Sequence, residues 1–545
     1  MSQELLFRGR IVDVVAGRIF AGEFTIQNGR IHGLREVADA AGGPFYLPGL
    51  VDAHVHIESS LLTPVEFARA AVVHGTVATV SDPHEIANVL GVEGVQWMLD
   101  NAEQTPLKIF FGAPSCVPAT GFETAGARFG PEEVDLLLAD ERIRYLSEVM
   151  NFPGVINGDP TMLAIIEKAK LRGKRVDGHA PGVVGEALRT YANRGIETDH
   201  ECVTLEEARQ RVACGMKVAI REGSAARNFD ALWPLLKESP EACFFCSDDK
   251  HPDDLVESHI NALLARAVAE GVEPLAAIRA ATLNPTKHYG LPVGLLQAGD
   301  AADFIEVRDL TSFEVQRTFI EGQLVAENGR TLLPSVNCTA PNRFATTALS
   351  IQDLRIPASA APVPVIVARD GQLITGREDL VPSAQGNESV ADVSRDLLKI
   401  VVYNRYAKQP PALGFVRNFG LKTGAMASSV AHDSHNIVAV GADDSQLAEA
   451  INAVVEAGGG LAFSSPQARQ VYPLPVAGLM GLGDAWQAAD AFQQLTALAR
   501  ADGCQLGSPY MTLSFMALLV IPSLKMSDRG LFDGDSFSFV AINNA

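Results

Sequence analysis

Short apolar runs alternate with segments of helical periodicity through the middle of the chain. Each run has the length of a buried parallel strand, and helical segments such as Pro64–His74, Pro131–Asp140 and Thr161–Arg172 separate them. The strand candidates are Val51–His56, Thr76–Ser81, Lys108–Ala113, Tyr145–Asn151, Arg175–His179, Ile196–His200, Lys217–Arg221 and Cys243–Asp248. Eight strand-then-helix units over roughly 250 residues predict a (β/α)8 barrel at 49–295, since a doubly wound sheet usually has fewer strands.

Shorter strand patterns flank this region on both sides. The first flank, 1–48, has an Asn28-Gly29 turn among its strand-like runs, and 296–345 repeats the texture with a turn at Asn328-Gly329. Asn-Gly between apolar runs is a strong hairpin signal, and neither flank has enough strands for a stable sheet of its own. We therefore expect one small β-sandwich that is assembled from both flanks.

The last part of the chain, 346–545, has a third texture. A Pro/Ala/Ser-rich stretch at Ile356–Val365 indicates a linker or a surface excursion. Further on, Ile437–Val440 has the pattern of a strand and Ser445–Ala457 that of an amphipathic helix, which Gly458 would end. We predict an additional C-terminal α/β domain, so that the whole chain is of the α/β class.

Composition narrows the possible partners. The 545 residues are 47% apolar and 20% charged, which is ample for a large core, and the net charge of −21 argues against nucleic acid and anionic membranes as partners. A small, neutral or cationic ligand fits better. Seven cysteines without a framework spacing suggest reduced thiols, and the N-terminus has no apolar signal segment. The longest apolar run, near Met511–Ile521, is too short for a bilayer, so we expect a cytoplasmic protein.

Imidazole and carboxylate side chains close six of the eight predicted strands. They are His54, His56, Asp82, His84, Glu148, His179, His200 and Asp248. Residues two apart on a strand point to the same side, so His54 and His56 face one interior, and the carboxyl ends of barrel strands meet at one face. A single histidine there could be structural, and a single aspartate could cap a helix. The convergence of the whole set instead predicts a divalent-metal pocket.

Two metals fit this set better than one. Four imidazoles (His54, His56, His179, His200) and two carboxylates (Glu148, Asp248) exceed the three protein ligands of a catalytic zinc site. A bridging carboxylate allows two ions to share an activated water, and Glu148 is the natural bridge. The nitrogen and oxygen donors are compatible with manganese or iron as well as zinc.

A second pattern imitates a different zinc site. His56-Ile57-Glu58 and Cys243-Phe244-Phe245-Cys246 resemble the H-x-E and C-x-x-C elements of cytidine-type deaminases. The proline before the first cysteine is missing, and a C-x-x-C within a strand sends its thiols to opposite faces. We interpret both cysteines as packing residues.

The segment PGLVDAHVHIESS at 48–60, with later strand-end histidines and a final aspartate, resembles the amidohydrolase superfamily. The exit AATLNP at 280–285 is also similar to that superfamily. The resemblance implies a metal-bearing (β/α)8 barrel flanked by a β-sandwich made from both ends. It supports the arrangement inferred above.

Within the superfamily, the chain is most similar to the bacterial adenine deaminases. The segments that carry the likeness are HVHIESSLLTPVEFARA, VSDPHEIANVLG, LSEVMNFPGVINGD, VDGHAPGV, TDHECVT, FCSDDKHPDDL, HDSHNIVAVG and IPSLKMSDRGL. The resemblance implies that His54, His56, His179, His200 and Asp248 bind metal, and that Glu148 replaces the carboxylated lysine of many relatives. It also implies a dinuclear iron or manganese centre, zinc being less suitable, and adenine as the substrate.

The expected reaction is hydrolysis of adenine to hypoxanthine and ammonia. Asp248 is best placed to take the proton of the attacking water, and a second acid must protonate the purine ring. The loop after the second strand offers Glu85 for that proton and Asp82 and His84 for the purine edge or the metal shell. Each could instead belong to a capped turn. Glu58, with Ser59 and Ser60, could line the pocket or cap the next helix, and Arg221 and Glu222 are similarly ambiguous.

Several alternatives remain open from the sequence. A cyclic-amide hydrolase of the same superfamily would use the same metal chemistry, and a noncatalytic barrel would have lost ligands that this chain retains. His432 and His435 could form a third metal site, but the pattern favours a surface loop. The C-terminal domain could cover the barrel mouth or mediate assembly, and we expect a homo-oligomer, with a dimer favoured.

Overall fold

The computed structural model describes residues 6–38 and 42–542, and a barrel occupies the middle of the chain. Its eight parallel strands are Leu50–Val55, Thr76–Ser81, Lys108–Ala113, Ile143–Val149, Arg175–Gly178, Thr198–Asp199, Lys217–Arg221 and Cys243–Cys246. The Glu197 N–H donates to Val176 O at 2.9 Å, which joins the fifth strand to the sixth. The Asp248 N–H donates to His54 O at 2.9 Å, so the eighth strand meets the first and the barrel is closed. The predicted (β/α)8 barrel is confirmed.

Helices follow the barrel strands and pack outside them. The longer ones are Pro64–Ala71, His84–Leu90, Val92–Ala102, Pro131–Ala139, Pro160–Leu171, Gly185–Asn193, Leu205–Ala213, Ile260–Ala269, Pro274–Ala280 and Leu283–Tyr289. Shorter helices are Phe152–Asn157, Phe229–Leu232, Leu235–Glu238 and Pro252–Glu257. The predicted helix at Thr161–Arg172 begins one residue earlier, at Pro160, because the Asp159 side chain accepts the N–H groups of Thr161 and Met162.

Both flanks contribute to one eight-stranded sheet. In spatial order its strands are Arg330–Thr331, Gln323–Glu327, Val315–Ile320, Phe304–Val307, Phe45–Pro48, Leu6–Asp13, Arg18–Gln27 and Arg30–Glu36. The rings of Phe24 and Phe304 are 5.1 Å apart. Two strands lie between the strands that carry these residues, so in a flat sheet the two residues would be roughly 14 Å apart. The sheet therefore curls onto itself around an aromatic core, and the composite unit predicted from both flanks is present. Residues 1–5 and 39–41 of the first flank, predicted at 1–48, lie outside the described residues.

The C-terminal region contains a second eight-stranded sheet. Its strands, in spatial order, are Gly376–Leu380, Val363–Val367, Ala412–Arg417, Leu398–Tyr403, Ile437–Gly441, Ala425–Ser428, Gly460–Ser464 and Arg469–Pro473. Two three-stranded sheets accompany it, made of Ile356–Pro357, Glu388–Val390 and Ser383–Gln385, and of Leu524–Ser527, Gly530–Asp533 and Ser538–Val540. The helices are Asp444–Glu456, Ala485–Ala501 and Pro509–Phe515. The strand and helix predicted in this region are both found, and Gly458, with φ +69°, follows the helix.

The stretch Ile356–Val365, interpreted as a linker or a surface excursion, is not a linker, although its middle is an exposed excursion. Val363 and Val365 lie on the same face of one strand and are buried. Ile356 is buried in the strand that precedes it in the chain. Only the short connection between the two strands is exposed. The Pro/Ala/Ser composition of that connection concealed the apolar residues at its ends.

The C-terminal domain lies over the carboxyl end of the barrel. The Gly481 N–H donates to Leu61 O at 2.9 Å, and the Phe492 ring is 4.3 Å from the ring of His251, which follows the eighth strand. The domain therefore covers the barrel face where the strand-end side chains converge. Within the described ranges, the structure has no helix that is both long and apolar enough to cross a membrane.

Candidate metal centre and the cavity beside it

The six predicted ligands meet at the carboxyl end of the barrel. None of them is more than 6% exposed. His54 and His56 leave the first strand on the same side, and their Nε2 atoms are 3.1 Å apart. The rings of His54 and His200 stack at 4.2 Å, and those of His179 and His200 meet at 5.4 Å. The fourth, fifth, sixth and eighth strands thus bring their last side chains to the histidine pair of the first.

Glu148 lies between the histidines of different strands. Its Oε2 is 2.8 Å from His179 Nδ1 and 3.2 Å from His200 Nε2, whereas its Oε1 is 3.4 Å from His56 Nε2. Burial alone would raise the pKa of Glu148, but His179 and His200 hold it well below its usual value. This carboxylate therefore has one oxygen toward His179 and His200 and the other toward His56.

Asp248 stands opposite Glu148, directly after the eighth strand. Its Oδ1 is 3.5 Å from His54 Nε2 and 3.4 Å from His56 Nε2, and its Oδ2 accepts a hydrogen bond from Arg221 Nη1 at 2.7 Å. Burial raises the pKa of Asp248, but Arg221 and the histidines outweigh it and keep the pKa well below the usual range. The backbone of Asp248 has φ +52°, a left-handed conformation that is uncommon for a residue with a side chain.

These donors fit a divalent metal centre. Separate groups of them, including His54 with His56 and Asp248, and His54 with Glu148 and His200, place one ligand atom each within 4.8 Å of the others. Among the described residues, His179 Nε2 is buried without a hydrogen-bond partner. A cluster of imidazole nitrogens and carboxylate oxygens that face one another is the donor set of manganese, iron or zinc.

The loop after the second strand lies against this cluster. His84 Nδ1 is 3.1 Å from Asp82 Oδ2 and 3.6 Å from Glu148 Oε1, and its Nε2 is 3.4 Å from Glu85 Oε1. The Asp82 carboxylate also accepts the His84 N–H, so the turn is capped as well as placed beside the site. The predicted residues Asp82, His84 and Glu85 are therefore brought to the candidate metal centre.

Glu58 is in the short 3-10 helix Ile57–Ser60, just beyond the histidine pair. Its Oε1 accepts the Ile86 N–H at 3.2 Å, while burial, together with the charge of the nearby Glu85, raises its pKa to about 7. Glu58 thus fixes the start of the helix that carries Glu85. Ser59 Oγ donates to Asp249 Oδ1 at 2.5 Å, which ties the same turn to the eighth strand's loop.

The sequence pattern suggested that His432 and His435 lie in a surface loop, but both are buried. They are 2% and 0% exposed, and both contact the carboxylate of Glu85. His432 Nδ1 is 2.6 Å from Glu85 Oε1, and His435 Nε2 lies against Glu85 Oε2. Although burial lowers the pKa of His432, Glu85 and Asp249 raise it to about 9. The polar residues around His432 have the sequence pattern of an exposed loop, because the surface that covers them belongs to the barrel, far away in the chain.

Two functional neighbours were missed or left ambiguous. Arg221 forms a bidentate pair with Glu201, with Nη1 at 2.5 Å and Nη2 at 2.9 Å, while it also reaches Asp248. Glu201 Oε1 is 3.5 Å from both His179 Nδ1 and His200 Nε2. The position of Glu201 directly after a strand-end histidine was the signal available in the sequence.

The pair of Asp52 and His259 holds the first barrel strand in place. His259 Nε2 is 2.9 Å from Asp52 Oδ2, and Asp52 also accepts from Ser247 N and Oγ. Because His259 lies more than two hundred residues away, no local pattern pointed to this contact. It fixes the strand that carries His54 and His56 against the strand that carries Asp248.

The two cysteines of the eighth strand are packing residues, as expected. Cys243 and Cys246 are fully buried in two different apolar clusters, and burial raises the pKa of both thiols. Within the described part of the chain all seven cysteines are free. The resemblance to a cytidine-type zinc site is therefore coincidental.

A narrow cavity adjoins the centre. Metal-cluster side chains form one wall, and the other is formed by Leu373, His432, Asp433, Phe515 and Leu518 of the C-terminal domain. Apolar side chains thus face the polar cluster across the cavity.

The chain matches known proteins over nearly its whole length. Residues 45–325 match the amidohydrolase family, and residues 372–538 match the adenine deaminase C-terminal domain. An adenine deaminase from Salinibacter ruber is 53% identical over 99% of both chains. An adenine deaminase from Methanosarcina acetivorans is 51% identical over 98% of this chain and 99% of its own. One from a Sulfurovum species is 50% identical over 98% of both chains. The chain therefore belongs to the adenine deaminase family of amidohydrolases, which have a divalent metal centre in a barrel of this kind.

Proposed function

We propose that the protein hydrolyses adenine to hypoxanthine and ammonia, as a purine-salvage enzyme of the cytoplasm. One observation carries the proposal: a buried cluster of metal-binding type shares a cavity with a second carboxylate, Glu85, that is paired with histidine. Hydrolytic deamination needs both, since one group must activate water and another must protonate the ring. The names of the relatives support adenine as the substrate.

For the metal, we propose a pair of manganese or iron ions, with zinc less suitable. His54, His56, His179, His200, Glu148 and Asp248 would hold them. A divalent pair supplies, when bound, a water whose pKa falls from about 15.7 toward 7. The Glu148 carboxylate, which faces histidines of three strands, supports two ions rather than one.

The residues of the chain would divide the proton transfers between them. Asp248 would accept a proton from the attacking water, because Arg221 keeps the carboxylate ionised and turned toward the cluster. Glu85 would deliver a proton to N1 of the ring, with His432 as its hydrogen-bonded partner. His84, held by Asp82, would orient the purine edge or the metal shell, and Glu58 would fix the turn that carries Glu85. The C6 amine then leaves as ammonia.

The test is to incubate metal-loaded protein with adenine and follow the ultraviolet spectrum. We expect conversion to hypoxanthine, with the Asp248→Asn variant as an inactive control of the same fold. Absence of hypoxanthine from the wild-type reaction would refute the proposal. A dihydropyrimidine and a hydantoin tested in parallel address the cyclic-amide hydrolase alternative.

Metal analysis tests the centre separately. Protein reconstituted with manganese or iron should hold two ions per chain, and clearly fewer would contradict the dinuclear proposal. The domain division at 1–48 with 296–345, 49–295 and 346–545 is also a proposal, which limited proteolysis would test. A homo-oligomer, with a dimer favoured, remains a prediction for light scattering.

A further inference from the structure

A further group of metal-binding side chains lies beside the six predicted ligands. His84, Glu85 and Asp433 each place one ligand atom within 4.8 Å of the others, and all three line the cavity. They are 3%, 2% and 3% exposed. Within the described residues, Asp433 Oδ2 is buried and has no hydrogen-bond partner. A buried polar atom without a partner is destabilising, so such an atom usually serves a ligand, a water or an ion.

His84 presents one ring nitrogen to the two carboxylates. Its Nδ1 is 3.1 Å from Asp82 Oδ2, and because an ionised carboxylate only accepts hydrogen bonds, Nδ1 carries a proton. The other nitrogen, Nε2, is 3.4 Å from Glu85 Oε1 and 3.7 Å from Asp433 Oδ1. A metal-bound histidine is commonly oriented in this way, since a carboxylate holds the nitrogen that does not bind the ion.

The spacing of these atoms suits an ion better than a hydrogen bond. Two ligand atoms that are each about 2.0–2.2 Å from one ion lie roughly 3–3.8 Å apart. Both distances from His84 Nε2 are in that range, and both exceed the length of about 2.7–3.2 Å that is usual for an N–H···O bond. In the predicted metal centre, His54 Nε2 and His56 Nε2 are 3.5 and 3.4 Å from Asp248 Oδ1. The same spacing therefore recurs beside the first cluster.

The loop that carries Asp433 also holds Glu85. His432 Nδ1 is 2.6 Å from Glu85 Oε1, and His435 Nε2 lies against Glu85 Oε2. His435 is not a metal ligand, because its Nδ1 accepts the Ala431 N–H at 3.2 Å and its Nε2 therefore carries a proton, which it donates to Glu85. The two histidines that the sequence suggested as a third metal site thus orient Glu85 instead.

We propose that His84, Glu85 and Asp433 form a third divalent-cation site, which is separate from the proposed metal pair and is completed by the C-terminal domain. One imidazole and two carboxylates suit manganese, iron or zinc. The cation compensates two buried carboxylates that face the same nitrogen. Because it competes with His432 for Glu85, it binds more weakly than the pair and is lost when free metal is removed.

The consequence is inhibition by excess metal. This part rests on the proposed adenine activity, in which Glu85 delivers a proton to the ring. A neighbouring cation favours the ionised form of a carboxylate, so Glu85 cannot bind the ion and carry that proton at the same time. Activity therefore rises while the metal pair is filled and falls when the third ion binds.

The number of bound ions tests the site without any measurement of activity. In equilibrium dialysis against manganese, the wild type should bind a third ion per chain, whereas two ions remain after desalting. Wild-type protein that saturates at two ions overturns the proposal, and this arm needs no variant.

Substitutions of Asp433 locate the third ion. Asp433→Asn and Asp433→Ala should keep the two tightly bound ions and weaken the third at least about tenfold, because even a group that only orients a ligand contributes about 10- to 100-fold to metal affinity. The matched control is Asp443→Asn, which changes a helix cap of the same domain and should keep all three ions. Unchanged binding of the third ion by both Asp433 variants overturns the proposal. Loss of a tightly bound ion assigns Asp433 to the metal pair and overturns it as well.

Inhibition is measured as a ratio within each protein. The rate of adenine deamination in excess manganese is divided by the rate of the same protein with two ions. This ratio should fall at least about tenfold for the wild type and for Asp443→Asn, and it should stay near one for Asp433→Ala over the same range of manganese. A wild type that binds the third ion without losing rate overturns the link to Glu85. An inactive wild type refutes the deamination, whereas the count of bound ions still decides the third site.

Discussion

Arg221 gives the sharpest test of the electrostatic account of the site. Its guanidinium contacts the carboxylates of Glu201 and Asp248 at 2.5 to 2.9 Å, and all three side chains are at most 5% exposed. Replacement by methionine keeps much of the volume but leaves two buried carboxylates without their cation. Removing one partner of a buried ion pair typically costs about 3–5 kcal/mol.

Thermal denaturation of metal-free protein measures the effect. For a unit of the barrel's size, each kcal/mol shifts the transition by roughly 2–4 °C, so Arg221→Met should lower Tm by about 6–20 °C. The matched control is Arg209→Met, because Arg209 forms a similar bidentate pair with Glu238, at 2.7 and 2.9 Å, on the surface. An exposed pair contributes only about 0–1 kcal/mol. If the two variants had equal Tm values, the buried pair would not stabilise the site as argued.

Three further predictions concern other parts of the molecule. Glu148→Gln should lower the metal content below two per chain and reduce turnover about 100-fold or more; near-normal turnover would remove Glu148 from the bridging role. The buried Lys525 Nζ donates to the carbonyl oxygens of Leu373 and Phe515, and burial lowers its pKa from 10.5 to about 7. Between pH 7 and 10.5 the unfolded chain therefore binds one proton more than the folded protein. Stability should therefore rise by about 1.4 kcal/mol per pH unit through this window, and Lys525→Met should lack that rise when Tm is compared at pH 7 and 9. Cys246→Ala should cost about 1 kcal/mol of stability and leave the metal content unchanged, because Cys246 is a packing residue. A loss of metal would show instead that the thiol is a ligand.

The parts of the fold that could be predicted follow from local pattern. Apolar runs at regular spacing identified the barrel strands, and the two-residue period of a strand placed His54 and His56 on one side. Asp248 and Glu148 could be recognised because residues at the strand ends share one face of a barrel. Each of these inferences needs only the neighbouring sequence and the closure of the barrel.

The contacts that could not be predicted join segments far apart in the chain. Arg221 could equally have faced solvent until Glu201 and Asp248 were placed around it. His432 follows a strand more than three hundred residues after Glu85, and its local surroundings are those of an exposed polar loop. Periodicity gives the face of an element, but it does not give the partner that covers that face.

The covering domain changes the chemistry that the barrel can support. With the C-terminal domain in place, Glu85 is 2% exposed and its neighbours His432 and His435 belong to that domain. Burial alone would raise the pKa of Glu85, but these histidines together with His84 hold it well below its usual value. A barrel without the C-terminal domain would keep the six side chains proposed to bind metal, yet its Glu85 would lose the contacts with His432 and His435. Because charge interactions strengthen when side chains are buried, the contacts of Glu85 with His432 and His435 are stronger with the domain in place than they would be in water.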